Sequence, residues 1–526
     1  MTDHQVDLLV IGAGASGASV AYEAIRRGLS VALLEAGDIG GGTSCRSTKL
    51  LHGGVRYLEL AFKTLDLAQL QLVREALLER GHWLRAAPFL AQRLELVLPT
   101  QNWFEQAYYG LGLGLYDRLS GTTGLGPSRR LSSAVLKESL PELCHCQGGV
   151  AYSDGQFDDA RLNLLLALTA EQAGVQLRRD CRVVGFEHHG TGRLTAAVSE
   201  TPGGRQERWQ ARVIVNTTGI HADAVRRMAD PAAPSRLLTS RGTHLVLKDK
   251  LCPQGMGMLV PSTDDDRVLF MLPFFGHTLV GTTDQACERS EATVPSHDEE
   301  SYLLRYVRQW FPGVHEPVVS SRWAGGRPLL QPSGGERSSS QVVREHEVET
   351  LPCGLVNLMG GKWTTCRPMA IDTLRAVEQQ LNRPLAQPSA MPLLGSASTP
   401  EQTRAGLLEQ QVKLQDVLPD TPLRDAQVMH LQSSFGLRAL SVIADQSNAE
   451  LEPLSGVIPL CRAEIRHVID KEHVFSTTDV LARRCRLAMV DQNDAETLRP
   501  TVESLLIEAG ISRATASRDL DLSMND

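Results

Sequence analysis

The chain has 526 residues, 42% of them hydrophobic and 22% charged, which is enough for two or three cored domains. A formal net charge of −8 and a sequence pI near 6.0 leave no footprint for non-specific nucleic-acid binding, so any basic site must be local. No apolar run reaches the roughly eighteen residues of a membrane span, and the apolar start of the chain breaks at Gly12, too soon for a signal-peptide core.

In chain order, Val6 to Ile11 reads as a strand, Ala15 to Arg27 as a helix and Val31 to Leu34 as a second strand ending at Glu35, which makes one βαβ unit. Leu65 to Leu84 carries Leu67, Leu70, Val73 and Leu77 at helical spacing and predicts a core-packing helix. Trp103-Phe104, Tyr108-Tyr109 and Leu111 to Tyr116 suit either a bilayer-facing patch or a buried loop of a substrate domain, and the loop is preferred. Cys144-His145-Cys146 lacks the second ligand pair of a structural zinc site, so no metal is expected and the ten scattered cysteines read as reduced thiols. The densest apolar run, Leu162 to Leu168, is interrupted by Asn163.

Beyond these, Val213 to Val215, His244 to Leu247, Val268 to Leu272 and Leu355 to Met359 are short apolar runs bounded by Gly, Asp or Pro and predict sheet strands. Residues 386–400, rich in Pro, Ser and Ala, read as a linker into a separate helical tail, 401–526. Ser476 and Asp479 there look like the N-cap of a helix running through Leu481 to Met489.

Gly12-Ala13-Gly14-Ala15-Ser16-Gly17 follows a strand and opens a helix. In that context backbone N–H groups and the helix N-terminus meet a pyrophosphate that a side chain would block, while Glu35 is placed to accept from a ribose hydroxyl. NAD and FAD share this ADP half, so other segments must choose between them. The small-residue stretch Gly40 to Lys49, leading into Leu51-His52-Gly53-Gly54-Val55-Arg56-Tyr57, permits close approach to a long flat ligand and puts Lys49, His52 and Arg56 beside it. Met359-Gly-Gly-Lys-Trp-Thr-Thr365 offers N–H groups and Lys362 to the pyrimidine end of a flavin.

At these residues the chain resembles the FAD-dependent glycerol-3-phosphate dehydrogenases. The likeness runs through Asp7 to Gly17, Thr43 to Glu59, Leu115-Tyr-Asp117, Phe157-Asp-Asp-Ala-Arg-Leu162, Arg241-Gly-Thr-His244, Gly281-Thr-Thr-Asp284, Gly325-Gly-Arg-Pro-Leu329 and Gly360 to Thr365, with weaker likeness at Ala463-Glu464-Ile465 and Asp479 to Arg484. The resemblance implies an α/β fold: an FAD-binding Rossmann-like domain of the glutathione-reductase and amino-acid-oxidase kind, an interleaved mixed-sheet substrate domain and an all-α C-terminal domain. Residues 1–385 would hold the first two, with the substrate cap near 85–150 and 235–330. It also implies FAD as cofactor, sn-glycerol 3-phosphate as substrate, hydride transfer from C2 to the flavin, and a quinone as acceptor. The place implied is cytoplasmic, peripheral on the cytoplasmic face of the inner membrane; a homodimer stays open.

Carried onto this sequence, Gly12, Gly14, Ala15, Ser16, Gly17, Glu35, Thr43, Ser44, Lys49, His52, Gly53, Gly219, Gly361, Lys362 and Thr364 become the expected cofactor contacts. Arg56, Tyr57, Arg327, Arg344 and Lys362 become substrate contacts, since Arg grips phosphate oxygens bidentately. His244 is the best candidate for the base, because imidazole titrates near neutrality, with Arg327 orienting or stabilising the developing alkoxide and Lys362 beside them. Several positions depart from the family pattern: Arg241 where Lys is frequent, Phe89 for His, His221 for Trp and Trp363 for Leu. Three rivals remain: an oxidase of the same architecture, an FAD-dependent amine or amino-acid oxidase, and a silent flavoprotein.

Overall fold

The computed structural model describes residues 2–55, 67–265, 267–331, 346–516, 520 and 522. Its first strand, Thr2–Ile11, lies between Gln206–Asn216 and Val31–Leu34, parallel to both. Leu355–Gly360 continues this sheet beside Gln206–Asn216, and Gln176–Arg178 extends it beyond Val31–Leu34. Strands buried on both faces need unbroken apolar runs, and Leu8, Leu9, Val10 and Val31 to Leu34 supply them.

Helices Ala15–Ile25, Asp159–Gln172 and Cys366–Leu381 pack together beside this sheet. The first of them is rich in Ala, Gly and Ser, so its neighbours approach closely. Asp158 caps the second by accepting from the Arg161 N–H at 3.0 Å, and residues 159–170 are buried throughout. The apolar run around Asn163 is therefore a core helix.

A second, mostly antiparallel sheet is built from Leu50–Leu51, Ala91–Thr100, Arg129–Ser132, Gly148–Phe157 and the strands between Leu237 and Leu330. Its long ribbon pairs Leu237–Leu247 with Val319–Leu330, a good deal more strand than the run His244 to Leu247 indicates. The extra residues, from Leu237 to Thr243, are half polar, and alternation turns Ser240 and Gly242 to the same face as His244.

Helix Leu67–Ala86 falls where the leucine spacing puts it. The Trp103 to Tyr116 segment does not form the preferred buried loop. It is the helix Trp103–Leu119, capped by Asn102, and Trp103, Phe104 and Leu111 are 75%, 68% and 80% exposed. Leu113 and Tyr116 suffice to anchor its inner face, which frees the aromatics on the outer one.

After residues 382–399, helices begin again at Pro400–Val417. The tail does not keep a separate core. Its Leu481, Leu487 and Leu506 join one apolar cluster with Leu96, Val246 and Trp323 of the second sheet, and Ser321 Oγ and Trp323 Nε1 donate to the Ala488 and Met489 carbonyls. Ser476 Oγ does accept from the Asp479 N–H, with the carboxylate answering the Ser476 N–H. The helix beyond it is a π-helix, Asp479–Arg484, that ends before Arg486, a residue in the left-handed region at φ 71°. The uninterrupted helix to Met489 is thereby corrected. Arg483 and Arg484 on the π-turn clamp the buried Asp38, an electrostatic demand that periodicity does not register.

Candidate flavin and substrate site

The dinucleotide turn is shaped by what it leaves out. Gly12 has φ 98°, and a Cβ there would sit 3.0 Å from the Thr217 carbonyl oxygen. A Cβ at Gly17 would sit 1.8 Å from the Gly12 oxygen, so the strand-to-helix turn closes only with glycine. Glu35 accepts from the Ala13 N–H at 2.7 Å and the Gly37 N–H at 3.0 Å, fixing its carboxylate at the end of its strand. Ser44 Oγ accepts from the Ala15 N–H at 2.9 Å, and Asn163 Nδ2 donates to the Ala13 carbonyl at 3.0 Å. Ser16 is half-buried at the N-terminus of the helix. The glycines keep Cβ atoms away from this positive helix end, which fits the diphosphate of FAD.

Around it gather the other expected contacts. Thr43 donates to the Gly326 carbonyl at 2.5 Å, tying the glycine-rich loop to the ribbon. The Gly53 N–H donates to Tyr116 Oη at 2.7 Å, and His52 lies 6.3 Å from the Phe270 ring. Gly219 and Gly361 take positive φ, 55° and 87°. Thr364 is buried, with its carbonyl accepting from Trp83 Nε1 at 3.1 Å, and Lys362 precedes this short turn. Trp363 donates to the Ser44 carbonyl at 3.0 Å, so this departure from the family pattern lies against the flavin loop. Phe89 lies elsewhere, packed beside Gly395 and Gly436.

In the ribbon, Ser240, Gly242 and His244 stand opposite Arg327, Gly325 and Trp323, and alternation puts all six on one face. Glycine makes room there: a Cβ on Gly242 would lie 2.2 Å from Arg327 Nη2, and one on Gly281 would lie 2.2 Å from His244 Cδ2. Arg327 donates to the Thr283 carbonyl and to Thr282 Oγ1, both at 3.0 Å, with Asp284 at 3.8 Å. His244 is 1% exposed, stacks on Trp323 at 4.3 Å and shares a 3.0 Å bond between Nε2 and Thr48 Oγ1. Burial, then Lys49 and Arg327, hold its pKa well below the usual imidazole range, so the ring is neutral near pH 7.

Lys49 does not present its ammonium to the flavin face. Nζ donates to the Cys45 carbonyl at 2.7 Å and to both Asp159 oxygens at 2.8 and 2.7 Å, and it lies 4.6 Å from the Trp323 ring. Burial, with Arg486 second, brings its pKa down to about 8 against the pull of Asp159. An ammonium this buried needs a carboxylate partner, which is why the side chain turns inward. Arg56, Tyr57 and Arg344 lie outside the described residues.

Five supporting residues escape a motif reading: Thr48, Asp159, Asn163, Trp323 and Arg486. Asp159 stands inside a segment matched to the family, Phe157 to Leu162, which was the available signal. Glu299 is another. It accepts from Arg241 Nε at 2.7 Å and from Thr283 Oγ1 at 2.6 Å behind Arg327, and the Ser296-x-x-Glu299 capping box marks it.

Residues 7–367 match the family described as FAD dependent oxidoreductase, and residues 387–513 match the C-terminal domain of alpha-glycerophosphate oxidase. The mitochondrial glycerol-3-phosphate dehydrogenase of Arabidopsis thaliana is 36% identical over 98% of this chain and 85% of the relative. The chain belongs to the FAD-dependent glycerol-3-phosphate dehydrogenase family. The human mitochondrial glycerol-3-phosphate dehydrogenase is 34% identical over 95% of this chain and 70% of its own length. Among solved structures, the FAD complex of the Bacillus halodurans glycerol-3-phosphate dehydrogenase superposes with a TM-score of 0.76 at 24% identity, covering 97% of this chain and 92% of that one. The FAD-bound L-alpha-glycerophosphate oxidase of Mycoplasma pneumoniae shares the fold at a TM-score of 0.56 and 17% identity, over 74% of this chain and 98% of that one. As a member of this family, the chain is an FAD-dependent oxidoreductase.

Proposed function

We propose that this dehydrogenase oxidises sn-glycerol 3-phosphate to dihydroxyacetone phosphate, and that its electrons pass to a quinone. The observation that carries the reading is the shared face of His244 and Arg327 on the ribbon, tied by Thr43 to the glycine-rich loop. Bound FAD supplies the hydride acceptor. Arg327, half-buried and oriented by Thr282 and Thr283, fixes the anionic substrate and stabilises the developing alkoxide. Neutral His244 takes the C2 hydroxyl proton at Nε2, the atom now bonded to Thr48 Oγ1. Lys362 adds positive charge at the glycine turn, and Arg56, Tyr57 and Arg344 complete the phosphate contacts.

The test is anaerobic mixing of the FAD-loaded protein with sn-glycerol 3-phosphate while flavin absorbance is followed. Bleaching by this substrate, and not by glycerol or amino acids, supports the first half of the reading. Reoxidation by a short-chain quinone without hydrogen peroxide supports the second, whereas fast reoxidation by oxygen with stoichiometric peroxide removes it.

No described helix is long and apolar enough to cross a membrane. We infer peripheral contact with the cytoplasmic face of the inner membrane through the exposed Trp103, Phe104 and Leu111. Vesicle sedimentation of the Trp103→Ser, Phe104→Ser double variant tests it; undiminished lipid binding removes this segment.

A further inference from the structure

Away from the flavin cradle, a cleft of about 420 Å³ opens between helices Ala15–Ile25 and Leu67–Ala86, Arg367 and the 391–401 segment. Its size suits a small molecule. Three guanidiniums, those of Arg26, Arg85 and Arg367, converge on one imidazole, His82. Arg26 is held by Glu23 at 2.8 Å and Arg367 by Glu79 at 3.0 Å, and Glu23 is shared with Arg27, so those two carboxylates are already engaged. Glu401 stands exposed at the rim.

Two basic groups are left over. Arg85 is exposed, and among the described residues neither Arg85 nor His82 makes a hydrogen bond or ion pair; His82 makes an edge contact with Trp83 at 5.0 Å. Burial first, then Arg367, Arg85 and Arg26, lower the His82 pKa to about 3, so the imidazole is neutral near pH 7 and can donate one N–H into the cleft beside the Arg85 charge. The remaining walls are apolar: Trp83, Leu166, Met391 and Leu393. The buried Ser19, beside the Cys366 thiol, adds a hydroxyl to the lining.

We propose that this cleft is a binding site for a small organic anion, a carboxylate or phosphate carried on a flat apolar body. The head lies on Arg85 and His82 and the body against Trp83. Occupancy is coupled to the flavin site through two rigid links. Trp83 Nε1 donates to the Thr364 carbonyl at the glycine turn, and the Ala15–Ile25 helix begins at the dinucleotide turn. The proposal is independent of the substrate and acceptor assigned above.

The test is equilibrium dialysis of the FAD-loaded full chain against benzoate, phenyl phosphate, benzyl alcohol and inorganic phosphate at constant ionic strength. The expected result is saturable one-to-one binding of benzoate or phenyl phosphate, the two arms telling which head group is preferred. In Arg85→Ala the affinity falls about tenfold or more, the scale of one charge-assisted hydrogen bond, and Arg85→Lys restores part of it. An exposed side chain without a partner can be truncated without unfolding the protein, so Arg85→Ala should melt with the parent. Binding that is equal in the parent and Arg85→Ala overturns the proposal, as does no saturable binding into the millimolar range. Benzyl alcohol or inorganic phosphate binding as tightly as the aryl anions overturns it too.

Discussion

Between Gly12 and Gly17 the dinucleotide turn sets most of its own geometry, with Glu35 and Asn163 closing it from outside. The surroundings of His244 are assembled from Thr48, Lys49, Trp323 and Arg327, and behind Lys49 stand Asp159 and Arg486, 327 positions apart. The first region is defined by missing side chains, the second by buried ones that neutralise one another. A local backbone constraint tolerates no substitution at its few positions. A charge network spreads its tolerance, and its vulnerability, over the whole chain.

Gly17→Ala should break the cradle outright, because the added methyl meets the Gly12 carbonyl at 1.8 Å. Any folded product is expected to purify without FAD, read from the flavin-to-protein absorbance ratio; a normal ratio would show that the turn can relax. Asp159→Asn should leave Lys49 without its carboxylate and Arg486 with only Asp158, at a cost of about 3–5 kcal/mol measured by urea unfolding with FAD bound. A loss under about 1 kcal/mol, the scale of an exposed pair, would mean that water reaches this network.

Arg327→Met should keep the fold, since the side chain is half-buried and of similar length to Met, with Thr282, Thr283 and Asp284 around its guanidinium. The loss of kcat/KM for glycerol 3-phosphate is expected at about a hundredfold, the scale of one strong charge-assisted contact. An unchanged kcat/KM would move the anion contact to another residue. The smallest effect concerns pH. His82, His221 and His244 all have folded pKa values below the unfolded value near 6.5, at about 3, about 4 and well below 6.5 respectively. The unfolded chain therefore binds more protons, and stability should fall as pH drops below roughly 6.5 and continue falling toward the folded pKa values. Because His244 is already neutral, the activity profile should show no imidazole limb near pH 6.5; one that disappears in His244→Asn would contradict this.

The contrast also explains what was legible in the sequence. A glycine fingerprint with strand, helix and Glu35 in fixed order is a local pattern, and it sits where the spacing puts it. Helix Leu67–Ala86 and strand Leu355–Gly360 were legible for the same reason. The inward turn of the Lys49 ammonium was not legible, because a lysine within a ligand-binding stretch looks available until its partner is known, and Asp159 lies 110 positions away. Asn163 looked like a flaw in an apolar run and is instead the amide that holds the Ala13 carbonyl. The exposed Trp103, Phe104 and Leu111 were taken for buried material because composition cannot say which face of a helix is anchored.

Arg486 reaches back to the Cys45 carbonyl and Asp159, and the Ala488 to Val490 carbonyls receive Ser321, Trp323 and Ser320. Synthesis runs from the other end. A nascent chain that has made its dinucleotide turn, its ribbon and both sheets still lacks the strut beneath Lys49 until Arg486 to Val490 have cleared the ribosome tunnel, so the catalytic wall matures later than the cradle. Premature termination before Arg486 should therefore yield a chain able to form the cradle and unable to finish the wall.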